Sequence, residues 1–148
     1  MNNKIRVFVV DDEAPVRQGI GDFLEKRGCE VVPFATNADC LRELETRPAS
    51  LPQCIVADLR MPFINGADLI ARLRGRGQAV PVVIITGLFP EDTLVTRAHA
   101  AGAATVLHKP FEPHQLEDAI RRALDMPRET VAVGGTAVLA EVGAYNWW

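Results

Sequence analysis

The run Lys4-Ile5-Arg6-Val7-Phe8-Val9-Val10-Asp11-Asp12 decides how this chain is read: a short β-branched pattern that breaks off on two adjacent carboxylates. The same arrangement returns three times. Asp58 follows Cys54-Ile55-Val56-Ala57, Thr86 follows Val82-Val83-Ile84-Ile85, and Lys109 follows Ala104-Thr105-Val106-Leu107-His108. Continuous apolar runs of this length, alternating with helical patterns, read as strands of a parallel sheet buried on both faces. Parallel strands share one carboxyl edge, so the groups at their ends gather in one place. Three carboxylates, a hydroxyl and an ammonium brought together in this way make a site.

Between these runs the spacing changes to that of helices. Strands are expected at Lys4–Val10, Glu30–Phe34, Gln53–Ala57, Pro81–Thr86 and Ala104–Leu107. A first helix opens near Pro15, carries Val16, Ile20, Phe23 and Leu24 on one side, and stops at Gly28. Thr36 or Asn37 caps a second helix with Ala38, Leu41 and Leu44 on its apolar face, closed before Pro48. Gly66 lies near the start of a third, which carries Leu69, Ile70 and Leu73 and ends at Gly75-Arg76-Gly77. Glu91 and Asp92 favour the N-terminus of a fourth, anchored by Leu94 and Val95 and running to about Ala101. Pro113 opens a fifth, whose Leu116, Ile120 and Leu124 repeat every four residues. Five βα units in succession imply right-handed crossovers and an α/β fold with helices on both faces of the sheet.

At 148 residues the chain suits one domain with a real core. A net charge of −3 gives no basic footprint for nucleic acid. No apolar stretch approaches the roughly 20 residues of a membrane span, and the N-terminus has no signal-peptide pattern, so a cytoplasmic protein is expected. Cys29, Cys40 and Cys54 are widely spaced and read as buried free thiols; with His99, His108 and His114 they show no zinc-ligand spacing. The main domain is expected to span residues 1–126, with 127–148 as a C-terminal extension. Within it Val131-Ala132-Val133, Gly134-Gly135 and Thr136 to Val142 read equally as a hairpin or as a disordered end. The extension is too short for a DNA-binding effector domain, which leaves an output carried by surfaces. Tyr145, Trp147 and Trp148 fit either a frayed terminus or a segment docking on this domain or a second copy.

Like charges as close as Asp11, Asp12 and Asp58 raise one another's pKa unless a cation neutralises them. An all-oxygen cluster with open positions suits a hard divalent ion, most simply Mg²⁺. Aspartate is also a covalent nucleophile toward phosphorus, and metal, ammonium and hydroxyl stabilise charge on the oxygens in transfer. Asp58 holds the central place.

Val-Val-Asp-Asp-Glu at 9 to 13, Asp-Leu-Arg-Met-Pro at 58 to 62 with Asn65-Gly66, Ile-Ile-Thr-Gly at 84 to 87 and His-Lys-Pro-Phe at 108 to 111 together resemble the receiver domain of two-component response regulators. The likeness covers about Lys4 to Leu124. The resemblance implies a doubly wound, five-stranded parallel sheet of flavodoxin-like (βα)5 topology, with the site at its carboxyl edge. It implies that Asp58 is the phosphoacceptor for a histidine kinase or phosphotransfer protein. Asp12 and Asp58 would bind Mg²⁺ directly, with the Arg60 backbone carbonyl as third protein ligand and Asp11 acting through water. Thr86 and Lys109 would each meet a phosphoryl oxygen, and Gly87 would leave room for the group. The Thr-Gly pair and Arg-Met-Pro are similar to receivers of nitrogen-fixation and LuxR-like transcriptional regulators.

One position departs from the pattern. Three residues before the lysine the family usually carries Tyr or Phe, which swings inward as the threonine moves; here it is Val106. The expectation is a phosphate-dependent change that is smaller, or centred on helix four and Phe89. Such a chain is not an enzyme acting on an outside substrate, although it assists its own phosphorylation and dephosphorylation. A true aspartyl-phosphate hydrolase would carry a second acid two residues after the nucleophile, where Arg60 stands. The alternatives are a receiver-like interaction module that takes no phosphate and a receiver cut from a longer transcriptional regulator. A homodimer through helix four, strand five and helix five, or through the aromatic tail, is a further partner expectation.

Overall fold

Five parallel strands form a sheet in the order β2-β1-β3-β4-β5, with β1 at Arg6–Val10, β2 at Glu30–Phe34, β3 at Cys54–Asp58, β4 at Val82–Thr86 and β5 at Thr105–His108. The computed structural model describes residues 4–125, 131–133 and 136–138. Helices α1 (Ala14–Lys26), α2 (Asn37–Thr46), α3 (Gly66–Gly75), α4 (Thr93–Ala101) and α5 (Pro113–Asp125) follow the strands in turn. This is the expected doubly wound α/β fold.

The strand alternation sorts the core into two layers. Phe8, Val10, Ile55, Ala57, Val82 and Ile84 point to one face and pack with α2, α3 and α4. Val7, Val9, Cys54, Val56, Val83 and Ile85 point to the other and pack with Ile20 and Leu24 of α1 and Leu116, Ile120 and Leu124 of α5. That is why these strands are apolar at every position rather than at every second one. Truncating a fully buried side chain such as Leu69 or Ile120 to Ala costs about 2–5 kcal/mol.

Local chemistry sets the helix ends. Thr36 caps α2 by accepting from the Asp39 N–H, and Asn65 and Asp68 form a reciprocal capping box at α3. Asp92 caps α4 through the Leu94 N–H, and Gly102 closes that helix at φ 105°, a conformation only glycine adopts without strain. Helix α4 is held by Val95 and Ala98, with Leu94 only partly buried. The small Ala98 serves because α4 also packs on α3, tied to it by Arg97–Asp68 at 2.9 Å.

Beyond the sheet, Val131–Val133 and Thr136–Val138 pair antiparallel, Val133 opposite Thr136. The connecting glycines and the segment holding Tyr145, Trp147 and Trp148 lie outside the described residues. Among the described residues, no helix is long and apolar enough to cross a membrane.

Candidate functional site

The order of strands reverses direction between β1 and β3, and at such a switch point the loops leave in opposite directions and open a crevice at the carboxyl edge. Asp11 and Asp12 follow β1, and Asp58 is the last residue of β3. The Asp11 N–H donates to the Phe34 carbonyl at 3.1 Å, Leu59 N–H to Ile85 O at 2.9 Å, and Lys109 N–H to Thr86 O at 2.7 Å. Each extends the sheet ladder by one step, so the backbone under all three side chains is rigid.

An open cleft of about 640 Å³ results, lined among others by Asp12, Glu13, Asp58, Arg60, Gly87 and Lys109. Lys109 Nζ lies 3.0 Å from Asp58 Oδ2 and 3.6 Å from Asp11 Oδ2. Asp58 Oδ1 accepts from the Arg60 N–H at 3.2 Å, which turns the carboxylate toward the cleft. Asp11 is fully buried, Asp58 is 6% exposed, and Asp12 is exposed. One oxygen from each of the three carboxylates lies within 4.8 Å of the others.

Thr86 is placed differently. It is buried at the end of β4, one position beyond the residue paired with Asp58, and its hydroxyl accepts from the Leu88 N–H at 3.0 Å. It does not line the cleft; Gly87 and Leu88 do. A Cβ built on Gly87 would meet no atom within 4 Å, so the space there is open. Val106 pairs with Ile84 and packs against the α2–α3–α4 core, away from the cleft.

The electrostatics are those of a site short of positive charge. Burial raises the Asp11 pKa, and the charges of Asp58 and Asp12 add to it, while the Glu13 N–H (2.8 Å from Oδ1) and Lys109 pull the other way. Burial disfavours the Lys109 charge, but the hydrogen bond to Asp58 and the charges of Asp58, Asp11 and Glu13 outweigh it and raise its pKa. Asp11 Oδ2 is buried and has no hydrogen-bond partner. An orphaned carboxylate oxygen beside two more carboxylates is a ready donor for a hard divalent cation, so the residues fit Mg²⁺.

Several supporting residues give no signal in the sequence. Arg17 Nη1 donates to the Asp11 carbonyl at 2.6 Å and holds the acidic turn from α1. Buried Asn37 donates to Ile64 O at 2.8 Å and pins the loop after β3. In that loop Phe63 is fully exposed at φ 66°, and Phe89 in the loop after β4 is also exposed. His108 Nδ1 lies 3.0 Å from Leu88 O, bridging β5 to the loop after β4.

Residues 7–121 match the family described as response regulator receiver domain. The chain belongs to that family. It is 33% identical over 127 residues to the transcriptional regulatory protein FixJ of Bradyrhizobium diazoefficiens, covering 83% of this chain and 60% of FixJ. It is 34% identical over 124 residues to the C4-dicarboxylate transport transcriptional regulatory protein DctD of Pseudomonas aeruginosa, covering 83% of this chain but 26% of DctD. The chain thus spans less than two thirds of the length of these relatives. Among solved structures, the crystal structure of FixJ-N superposes with a TM-score of 0.73 at 32% identity, covering 83% of this chain and 94% of that one. A response regulator receiver protein from Burkholderia phymatum gives 0.71 at 33% identity, covering 81% and 94%. The fold is the flavodoxin-like receiver fold of two-component response regulators.

Proposed function

We propose that this chain is a phosphorylation-controlled signalling switch in which Asp58 accepts a phosphoryl group from a phosphohistidine on a histidine kinase or phosphotransfer protein. The observation that carries the reading is the meeting of Asp58, Asp12 and Lys109 at one open cleft, with the buried Asp11 carboxylate close behind them, in a receiver-family fold. In the transfer one Asp58 oxygen bonds to phosphorus as the donor's P–N bond breaks, and the electron pair leaves with the imidazole. Lys109 holds positive charge beside Asp58, where it meets the negative charge carried by the transferring phosphoryl oxygens. The open space at Gly87 leaves room for the incoming group, and the Thr86 hydroxyl, which accepts from Leu88, keeps its own proton to donate.

Asp12, Asp58 and the Arg60 carbonyl would hold Mg²⁺, with Asp11 acting through water. The ion supplies the positive charge that lets several carboxylates and a phosphoryl group share one cleft. The chain itself is the modified product, so it is a phosphoacceptor rather than an enzyme with an outside substrate. Three buried free thiols fit a reducing, cytoplasmic setting. Incubation with acetyl phosphate and Mg²⁺, read by intact mass, tests the reading: one retained phosphoryl group supports it. Continuous release of inorganic phosphate without a retained label would assign a hydrolase, and no uptake would leave a binding module.

A further inference from the structure

Leu88 is gripped at both ends of its backbone by two different strands. Its N–H donates to Thr86 Oγ1 at 3.0 Å, and its carbonyl lies 3.0 Å from His108 Nδ1. Thr86 and His108 stand opposite each other in the β4–β5 register, and the residue after His108 returns a third bond, Lys109 N–H to Thr86 O at 2.7 Å. Leu88 also lines the Asp58 cleft. A carbonyl oxygen only accepts, so a hydrogen bond across this distance requires the His108 ring proton to be on Nδ1.

We propose that His108 is a positioning residue whose imidazole N–H clasps the Leu88 carbonyl and sets how easily the loop after β4 leaves its place. Any movement of the Thr86 hydroxyl toward Asp58 drags the Leu88 amide with it, and His108 resists by holding the other end of the same residue. The regulatory meaning rests on the phosphoacceptor reading of Asp58; the clasp itself does not. Val106, two positions earlier, is a partly buried aliphatic side chain packed against the core and has no polar atom to offer the loop. His108 is the residue of β5 whose side chain bonds to it.

The test uses the whole chain. Long-range ¹⁵N NMR on the unmodified protein is expected to show the Nδ1–H tautomer at His108. His108→Ala is expected to speed exchange of the Leu88 amide. It should also lower the half-saturating concentration of beryllofluoride, with Mg²⁺ present, by about two- to tenfold, the effect of one neutral hydrogen bond on a two-state loop. His108→Asn, which can place an amide N–H where Nδ1–H stood, is expected to restore both to near the parent values. An Nε2–H tautomer, an Ala variant that behaves like the parent, or an Asn variant that behaves like Ala overturns the proposal. If the parent takes up no beryllofluoride, the Asp58 reading fails, while tautomer and amide exchange still judge the clasp.

Discussion

Lys109 Nζ sits 3.0 Å from Asp58 Oδ2 and 3.6 Å from Asp11 Oδ2, so one ammonium bridges carboxylates from neighbouring strands. Its place depends on the ladder bond from its own N–H to Thr86 O. Lys109→Gln keeps that backbone bond and removes the charge. The variant is expected to fold normally and to take up a phosphoryl group from acetyl phosphate about 10²–10³-fold more slowly, the usual cost of losing one preorganised charge-stabilising group. Stopped labelling read by mass spectrometry checks this; parental rates would remove Lys109 from the chemistry.

Asp11 gives a pH-linked prediction. Burial and then the Asp58 charge raise its pKa above the ordinary 3.8. The folded state therefore binds this proton more tightly than the unfolded chain, and the fold loses stability as pH rises through the raised pKa. Above that pKa the ionised carboxylate is a standing cost. Asp11→Asn keeps an acceptor for the Glu13 N–H and is expected to raise stability without metal by about 1 kcal/mol. Mg²⁺ should raise the Tm of the parent by more than that of the variant, which keeps Asp12, Asp58 and the Arg60 carbonyl but loses the Asp11 charge. A lower Tm for the variant in EDTA would contradict the assignment.

Gly66 shows how closely α3 is seated on the site. A Cβ there would stand 2.7 Å from Ile84 Cδ1 and 3.1 Å from both Asp58 O and Leu59 Cα. The isoleucine tip can turn aside, but the backbone of Asp58 cannot without moving its carboxylate. Gly66→Ala is expected to cost about 1–3 kcal/mol in chemical denaturation and to slow phosphoryl uptake as well. Stability loss with unchanged labelling would show that the Asp58 backbone is more forgiving than its contacts imply.

The thiols are expected to be silent. Burial pushes Cys29 up to about 11, helped by the Glu117 charge, and Cys40 up to about 12, helped by Glu43. At pH 8 the Cys29 thiolate is on the order of one part in a thousand. Native protein should resist iodoacetamide at pH 8 and react at all three cysteines once unfolded in urea; rapid native alkylation at Cys29 or Cys40 would contradict their burial.

The strands and their terminal residues were legible because β-branched runs buried on both faces leave little else to read. Only ends shifted: β1 begins two residues later than expected and β3, β4 and β5 one residue later, while β3 reaches Asp58 and β5 reaches His108, since pairing there continues one residue past the apolar run. Helix α4 was harder, because its buried Ala98 carries no hydrophobic signal and is chosen by proximity to α3. The acidic residues and Lys109 could be grouped from strand ends alone. Arg17 on the Asp11 carbonyl, Asn37 on Ile64 O and His108 on Leu88 O could not. Each joins a side chain to a backbone atom of another element, and residue periodicity does not encode that partner.

Position 58 decides the account. Protein loaded with acetyl phosphate and Mg²⁺, reduced with borohydride and digested, should yield a peptide with homoserine in place of Asp58, the product of reducing an acyl phosphate at that carboxyl. An unaltered Asp58, or reduction mapped to Asp11 or Asp12 instead, would contradict it.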